Sequence, residues 1–368
     1  MTSKNNQGNI NAQRRERLLG FAKAAAALAV SGFSTQNSIG KGIAAPKPEK
    51  RNITIATTNP AALPYLPLLV AQHKGFFAQQ GLELQISEQQ SAARAITAVG
   101  AGQADLVCTW LENVLSASGR ALGMQSFVLL GITPMMALGV PHRPIQNQPA
   151  IGLAQLRGKK IGVVALNSPT HTVALAAMRR AGLRASDLGF VSVGSPASAQ
   201  AALRSGQIDA LIHMDPLMLQ QEQRGELHIV ADLRSPPSAY DVLGMHLPSS
   251  CLAAPQDFLQ RFPGTAQACS DAMLQALQWL AQASLRDMLR LQESLPENTL
   301  GMDAQSFVAS FERLRLAFSS DGICAPLLAS NLLQAMHDAE PALRLEKIEV
   351  LKSVNNTLAY RSLQRLKA

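Results

Sequence analysis

The sequence predicts an α/β protein of two lobes with the same topology, followed by a helical C-terminal region. Patterns typical of strands and helices alternate from residue 52 to about residue 255. The segment Gly102 to Leu106 (GQADL) recurs as Gly206 to Ala210 (GQIDA). Each copy follows the same series of strand, helix, Gly-Leu, strand and helix. Two successive units with one element order predict two similar lobes.

The first unit begins with alternating β-branched residues, which favour a strand. In chain order we predict a strand at 53–57, a helix at 64–73, a strand at 84–86, a helix from Ser91 to about residue 100 and a strand at 106–109. The uncharged stretch 121–140 is interrupted by glycines and a proline. It therefore predicts two buried strands, at 127–132 and 135–140, rather than a membrane span.

The second unit follows a loop rich in Pro and Gln at 141–149. We predict a strand at 160–164, a helix at 169–181, a strand at 190–193, a helix starting at Ser195-Pro196 and a strand at 209–212. A long apolar strand at 243–254 follows, and the pattern beyond Pro255 is mainly helical.

The net charge of +8 is unevenly distributed. Residues 1–51 contain nine Lys or Arg and two Asp or Glu, a net +7, so the remaining 317 residues carry +1. A basic face for nucleic acid is therefore not expected on the folded part. The basic n-region, the apolar stretch 18–33 and the small residues before Pro46 predict a cleaved export signal. A soluble helix or a membrane anchor is the alternative.

Arg14 and Arg15 resemble a twin-arginine signal, although Arg17 stands where that signal usually has an apolar residue. The leader has no Cys to carry a lipid, so we expect a periplasmic protein without a lipid anchor. The four cysteines, Cys108, Cys251, Cys269 and Cys324, have no metal-site spacing, and no metal or cofactor is expected. Cys251 and Cys269 either pair in an oxidising compartment or, as we prefer, all four are small core residues.

Several motifs resemble a known family. These are Tyr65-Leu66-Pro67, Lys74 to Phe77 and Gly81 to Leu84 in the first unit, and Leu156 to Gly162 and Gly206 to Ala210 in the second. They are similar to the nitrate, sulfonate and taurine group of periplasmic binding proteins, which includes binders of thiamine pyrimidine precursors. The resemblance covers about residues 52–260 and is looser over the C-terminal hundred.

The resemblance implies a type II periplasmic-binding-protein fold, in which two crossover segments join the lobes. It also implies a small-molecule ligand, an ABC permease in the inner membrane as partner, and a monomer. We place the crossovers near residues 140–149 and 243–254. The predicted organisation is an export signal at 1–45, a linker at 46–51, lobe I at 52–142, lobe II at 143–248, and a return to lobe I with C-terminal helices at 249–368.

Ligands of open α/β sheets collect outside the carboxyl ends of the strands. The candidate ligand-binding residues in those loops are Asn59, Tyr65, Ser91, Trp110, Glu112, Ser168, Thr170, His171, His213 and Asp215. Trp110 either packs in the core or forms an apolar wall of the pocket. Ser91 and Ser168 either cap helices or hydrogen-bond a ligand. Glu112 and Asp215 accept from a ligand with donor groups, start helices or pair with a basic side chain.

These residues favour a sulfonate-like organic solute first and a thiamine pyrimidine precursor second. Two other protein classes share the architecture. A pyrimidine synthase would need the cysteine-rich motif of that enzyme family, and a transcription regulator would need a helix-turn-helix. Neither motif is present, and no catalytic triad, GxSxG, HExxH or phosphate loop occurs. We therefore expect a binding protein and no enzyme.

Overall fold

The computed structural model describes residues 47–118, 123–142, 152–297, 299–340 and 348–367. The predicted export signal at 1–45 lies outside these residues, as does most of the loop 141–149. The strands in the described ranges are β1 (Asn52–Thr57), β2 (Glu83–Glu88), β3 (Leu106–Trp110), β4 (Met124–Leu129), β5 (Met136–Pro141), β6 (Lys160–Val163), β7 (Gly189–Ser192), β8 (Ala210–Met214), β9 (Leu227–Leu233) and β10 (Ser250–Pro255).

Helices connect these strands and make up most of the C-terminal region. They are α1 (Leu66–His73), α2 (Phe76–Gln79), α3 (Ala92–Gly100), α4 (Leu111–Ser118), α5 (Pro169–Arg180), α6 (Pro196–Arg204), α7 (Leu217–Gln223), α8 (Pro236–Leu243), α9 (Gln256–Arg261), α10 (Pro263–Gln282), α11 (Leu285–Ser294), α12 (Ala304–Leu314), α13 (Pro326–Ala339), α14 (Val350–Ser353) and α15 (Thr357–Leu366). Among the described residues, no helix is both long and apolar enough to span a membrane.

The strands form two five-stranded sheets with equivalent orders. The first is β2-β1-β3-β10-β4 and the second is β7-β6-β8-β5-β9. In each sheet the first three strands are parallel, and the fourth is antiparallel to both of its neighbours. That fourth strand is in each case the first one that the chain forms after it passes from one lobe to the other. The predicted two-lobed α/β fold is confirmed.

The first crossover lies elsewhere than the sequence predicts, whereas the second, at 244–249, falls within the predicted range 243–254. β5 pairs with β8 and β9, so it belongs to the second lobe, and the first crossover is the segment 130–135 rather than 140–149. The lobe I boundary at 142 is therefore too late. β10 begins at Ser250 rather than at residue 243, because Gly244 ends α8 in the left-handed region at φ +68°. An apolar strand that is buried on both faces carries no signal of which sheet it joins.

The two crossovers pair with each other at the base of the lobes. The Ser249 N–H donates to the Gly131 carbonyl at 2.9 Å, and the Gly131 N–H donates to the Ser250 carbonyl at 3.2 Å. A third segment joins them, because the Ile132 N–H donates to the Ala317 carbonyl at 2.8 Å. A side chain on Gly131 would overlap the Ser249 hydroxyl, so this close approach requires glycine.

The repeated motif has a structural role in both lobes. Asp105 accepts a hydrogen bond from the Thr54 N–H at 2.9 Å, and Asp209 accepts one from the Lys160 N–H at 2.9 Å. Each aspartate therefore joins the start of the third parallel strand to the start of the first. The repeat indicates shared topology and contributes no group to a ligand site.

The apolar core has two main parts. One lies between the first sheet and the C-terminal helices, chiefly α10, with Phe307 and Phe311 of α12 fully buried in it. The other covers the opposite face of the first sheet and continues into the second lobe through α4, α5 and α13. All four cysteines are buried free thiols, so Cys251 and Cys269 are not paired.

Candidate functional site

The ten predicted residues all follow the carboxyl ends of parallel strands. Asn59 and Tyr65 follow β1, Ser91 follows β2, and Trp110 and Glu112 lie at the end of β3. Ser168, Thr170 and His171 follow β6, and His213 and Asp215 lie at the end of β8. β3 and β8 each lie beside the antiparallel strand that emerges from a crossover. Their ends therefore form the floor of the cleft, next to the crossovers.

A buried hydrogen bond joins the two lobes at this floor. Glu112 lies in the first turn of α4 in lobe I, and Thr172 lies in the first turn of α5 in lobe II. The Thr172 hydroxyl donates to Glu112 Oε1 at 3.0 Å, and both side chains are buried. Burial raises the pKa of Glu112 to about 7, and the Thr172 hydrogen bond offsets only part of that shift.

Trp110 is the last residue of β3 and is partly buried. It packs against both main apolar clusters, on either side of the first sheet. Ser250 is its partner across the sheet, immediately after the second crossover. The indole is therefore an apolar group at the cleft floor that remains open to contact.

His213 is buried at the end of β8 in lobe II. Its Nδ1 accepts a hydrogen bond from the Met214 N–H at 2.9 Å, so the neutral ring carries its proton on Nε2. Nε2 makes no hydrogen bond of good geometry, although the Gly194 carbonyl lies close enough to act on the ring. Burial lowers the pKa of His213, so the imidazole is neutral and offers an N–H donor.

Asp215 is also buried, and it pairs with a basic side chain. Its Oδ1 accepts from the Leu219 N–H at 3.0 Å and from the Arg234 guanidinium at 3.4 Å, while Oδ2 has no partner. Burial raises the pKa of Asp215, and the positive charge of Arg234 opposes that shift. Both structural roles that the sequence left open are therefore observed: Asp215 accepts from the first turn of α7 and pairs with a basic side chain.

Arg234 follows β9 and was not identified from the sequence. Its guanidinium donates twice to Asp232 at 2.9 Å and once to Glu222 at 3.2 Å, in addition to Asp215. Glu222 also accepts from Arg313 of α12 at 2.7 Å. Three carboxylates surround this buried cation, so it offers no uncompensated positive charge to an anion. Such a pairing between distant loops leaves no signal in sequence spacing.

The polar side chains at the start of α5 form hydrogen bonds with backbone groups of the preceding loop. The Ser168 hydroxyl donates to the Ala165 carbonyl at 2.6 Å, so it can only accept from a ligand. Thr170 Oγ1 accepts from the Val164 N–H at 3.0 Å. His171 Nδ1 accepts from the Asn167 N–H at 3.2 Å, and burial lowers the pKa of this imidazole. An anionic head is therefore not expected at Ser168, whereas His171 keeps its Nε2–H.

The predicted residues at the lobe I rim have mainly local contacts. Ser91 caps α3 by accepting from the Arg94 N–H at 3.2 Å, and it is exposed. Asn59 is exposed and accepts from the Ala61 N–H at 3.1 Å within its own turn. Tyr65 is buried, and burial raises the pKa of its phenol, which lies beside Thr58 and Thr109. Ser91 and Asn59 therefore shape turns at the cleft rim.

Four buried polar atoms without partners belong to residues at this edge of the sheets. They are Thr57 Oγ1 at the end of β1, Ser249 Oγ in the second crossover, His213 Nε2 and Asp215 Oδ2. Four more such atoms occur among the described residues, all in the C-terminal helices: Gln267 Oε1, Gln292 Oε1, Ser310 Oγ and Arg365 Nε. Unpartnered buried polar atoms are costly, so the four at the carboxyl ends of the strands are candidates for contact with a polar ligand. Neither Thr57 nor Ser249 is among the candidate residues that the sequence predicted. No cluster of potential metal ligands occurs among the residues that the structure describes.

A family model described as NMT1/THI5 like matches residues 64–283, which is more than half of the chain. The chain belongs to the NMT1/THI5-like family. A solved structure of a protein from Bordetella bronchiseptica RB50 is 33% identical, with a TM-score of 0.75, over 88% of this chain and 100% of that one.

Two further solved structures share the fold of this family member. The periplasmic aliphatic sulphonate binding protein of Escherichia coli is 18% identical with a TM-score of 0.66, over 83% of this chain and 92% of that one. The periplasmic nitrate-binding protein of Synechocystis PCC 6803 is 16% identical with a TM-score of 0.65, over 87% of this chain and 90% of that one. Both show the predicted periplasmic-binding fold.

Curated relatives match a shorter part. The 4-amino-5-hydroxymethyl-2-methylpyrimidine phosphate synthase of Uromyces fabae is 34% identical over 104 residues. That match covers 28% of this chain and 30% of the synthase. A corresponding synthase of Schizosaccharomyces pombe is 28% identical over 108 residues and 30% of its length. The chain therefore matches less than a third of the length of these relatives.

Proposed function

We propose that the protein is an extracytoplasmic solute-binding protein, which closes its two lobes on a small organic solute and delivers it to an ABC importer. The group of unpartnered polar atoms at the carboxyl ends of β1 and β8 and in the second crossover carries this proposal. They come from both lobes and from the segment that joins them. A ligand that contacts atoms of both lobes holds the lobes together.

A sulfonate-like solute is our first choice of ligand. The His213 Nε2–H and the hydroxyls of Thr57 and Ser249 are neutral donors that suit the oxygens of such a head group. Trp110 offers an apolar surface to the organic body. Arg234 pairs with Asp215 as well as with Asp232 and Glu222, so it offsets only part of the negative charge that would repel a sulfonate. The fold shared with a sulphonate-binding protein supports this choice.

A thiamine pyrimidine precursor is the second candidate. Asp215 Oδ2 is a buried acceptor without a partner, and the carboxyl of Glu112 lies in the other lobe. Carboxyl oxygens suit the amino group of an aminopyrimidine. The partial match to pyrimidine phosphate synthases supports the same ligand class.

We propose binding without catalysis. All four thiols of the chain are buried, and burial raises the pKa of each of them, so none is a reactive thiolate. Mass spectrometry of a solute recovered after incubation tests this point. We expect its mass to be unchanged, and a product formed in proportion to the protein would contradict the proposal.

The export proposal is tested by the mature N-terminus. Mass spectrometry of periplasmic protein should show a chain starting near Ala45 or Pro46. Full-length chain retained in the cytosol would contradict export. Replacing Arg14 and Arg15 by Lys tests the twin-arginine route, which predicts a loss of export.

A thermal-shift screen tests the ligand. Alkanesulfonates, taurine, nitrate and aminopyrimidines are added in large excess, and a true ligand raises the unfolding temperature by mass action. The screen is repeated by fluorescence with Trp279→Phe, which leaves Trp110 as the only tryptophan. We expect the ligand that raises the unfolding temperature to change Trp110 emission. A ligand that stabilises the fold without changing that emission would place the site elsewhere.

A further inference from the structure

The Glu112–Thr172 contact joins the helix that follows β3 in lobe I to the helix that follows β6 in lobe II. Glu112 begins α4 in lobe I, and Thr172 begins α5 in lobe II. The 3.0 Å hydrogen bond is the polar contact of the buried carboxyl, which is 7% exposed. One neutral donor only partly replaces the water that an ionised carboxylate binds in an open cleft.

We propose that this hydrogen bond is a latch between the lobes, and that closing it takes up one proton from solvent onto Glu112, so that lobe closure depends on pH. The inference rests on the proposed hinge closure and adds a regulatory property to it. In the closed form the protonated carboxyl is neutral, so it loses little hydration free energy when it is buried. In the open form the carboxyl faces water and releases the proton.

Within the ranges that the structure describes, no neighbouring charge accounts for the raised pKa of Glu112. The titratable groups on the elements packed around α4 and on α5 are Arg94, Cys108, His171, Arg179, Arg180, Cys251, His337, Asp338 and Lys352. None of these groups shifts the pKa of Glu112, which responds only to burial and to Thr172. Asp338 is paired with Arg179 at 3.1 Å. The proton that this contact takes up therefore belongs to Glu112, and the Glu112→Gln variant below separates it from protons exchanged by other buried groups.

The direction in which pH shifts lobe closure follows from the difference in the pKa of Glu112 between the closed and open forms. The closed lobes raise the pKa of Glu112 to about 7, whereas an exposed carboxyl titrates near its ordinary value of about 4.3. Below that ordinary value both forms are protonated, and pH has no effect. As pH rises towards about 7, the closed fraction relative to the open one falls by up to about tenfold per pH unit. Above about 7 both forms are ionised, and the dependence ends.

The test uses the ligand-free chain and measures the distance between the lobes. Nitroxide labels are attached at Glu88→Cys, at the end of β2, and at Ala197→Cys, in the first turn of α6. Both positions are exposed, and the native thiols are buried, so the labels react at the introduced sites. Electron–electron distance measurements between pH 5 and pH 8 should show fewer closed molecules as pH rises.

Three variants, each built in the labelled chain, identify the group responsible. Glu112→Gln keeps a neutral side chain of the same shape, so its closed fraction should not depend on pH. Thr172→Val removes the donor, so closure should weaken at every pH while its pH dependence persists. Glu83→Gln replaces an exposed lobe I carboxyl on β2 and should behave as the unsubstituted labelled chain does.

Lobe distances in the unsubstituted labelled chain that do not change with pH would overturn the latch. So would a pH dependence that survives unchanged in Glu112→Gln. Carbon NMR of the Glu112 carboxyl in the wild type provides a second measurement that needs no variant. A midpoint near pH 7 supports the proposal, and one near 4.3 in closed molecules overturns it. Because no solute is added, this experiment tests the latch separately from the solute-binding function: lobe distances that respond to pH support the latch whatever the outcome of the ligand screen.

Discussion

Replacing Arg234 with Met tests the buried charge network behind the cleft. Arg234 is 1% exposed and contacts Asp215, Asp232 and Glu222. The Asp232 and Glu222 side chains are 38% and 30% exposed, so water can replace their lost contacts. Asp215 has a fully buried side chain and cannot recover in this way. The variant therefore leaves one uncompensated buried carboxylate.

Breaking a buried ion pair by removing one partner costs about 3–5 kcal/mol. We expect Arg234→Met to lower the free energy of unfolding by about this amount at pH 7, as measured by urea denaturation followed by circular dichroism. The loss should shrink towards pH 5, because Asp215 can then take up a proton. Without Arg234 its folded pKa lies further above the unfolded value, so the penalty grows as pH rises.

Two control variants separate the buried charge from general damage. Arg313→Met removes a 39% exposed partner of Glu222 and should cost less than about 1 kcal/mol. Adding Asp215→Asn to Arg234→Met removes the stranded charge and should recover most of the stability. An Arg234→Met variant within about 1 kcal/mol of wild type, or a double variant no better than the single one, would refute this reasoning.

Three further predictions concern the hinge, the repeat and the N-terminal segment. In Gly131→Ala the added methyl group overlaps the Ser249 hydroxyl, so the free energy of unfolding from urea denaturation should fall by about 1–3 kcal/mol. A wild-type value would contradict the close pairing of the two crossovers. Asp105→Asn should destabilise the protein more than Asp209→Asn, because the Asp105 side chain is 15% exposed and the Asp209 side chain is 37% exposed. The reverse order would contradict the role of these aspartates in joining the starts of two strands. Glu49 accepts hydrogen bonds from backbone N–H groups at the start of α10. Burial raises the pKa of its carboxyl, but these hydrogen bonds lower that pKa by a larger amount, so the net shift is downward. The stabilisation that the ionised Glu49 carboxylate gives the folded protein is therefore present above about pH 4.3 and is lost as pH falls. In urea denaturation, the difference in the free energy of unfolding between wild type and Glu49→Gln should vanish in acid.

The element order was predictable from the sequence because the local signals agree with the fold. Alternating residues predict β1, Pro169 starts α5, and Ser91 and Ser195 cap their helices as expected. The prediction omitted α4, which follows β3, and it omitted α7, β9 and α8, which lie between the end of the repeat and the second crossover. The assignment of β5 to a sheet was wrong because hydrophobic periodicity reports burial and not the pairing partner.

The site was predictable as a location and less so as a set of contacts. The rule that ligands bind at the carboxyl ends of strands places Trp110, Glu112, His213 and Asp215 at the cleft floor. Their partners are distant in sequence, as Arg234 is from Asp215 and Thr172 is from Glu112. Pairings of this kind are set by tertiary packing, and residue spacing does not encode them.

The most direct test of the proposed function is calorimetric titration of the solute identified in the screen. Trp110→Ala removes the apolar wall of lobe I, and His213→Ala removes the N–H donor of lobe II. Loss of a hydrogen bond to a charged head costs about 1.5–3 kcal/mol, so we expect each variant to bind at least about tenfold more weakly. Trp279→Ala, in α10 away from the cleft, should retain wild-type affinity. A solute whose affinity depends on only one lobe, or on neither, would contradict a site shared between the lobes.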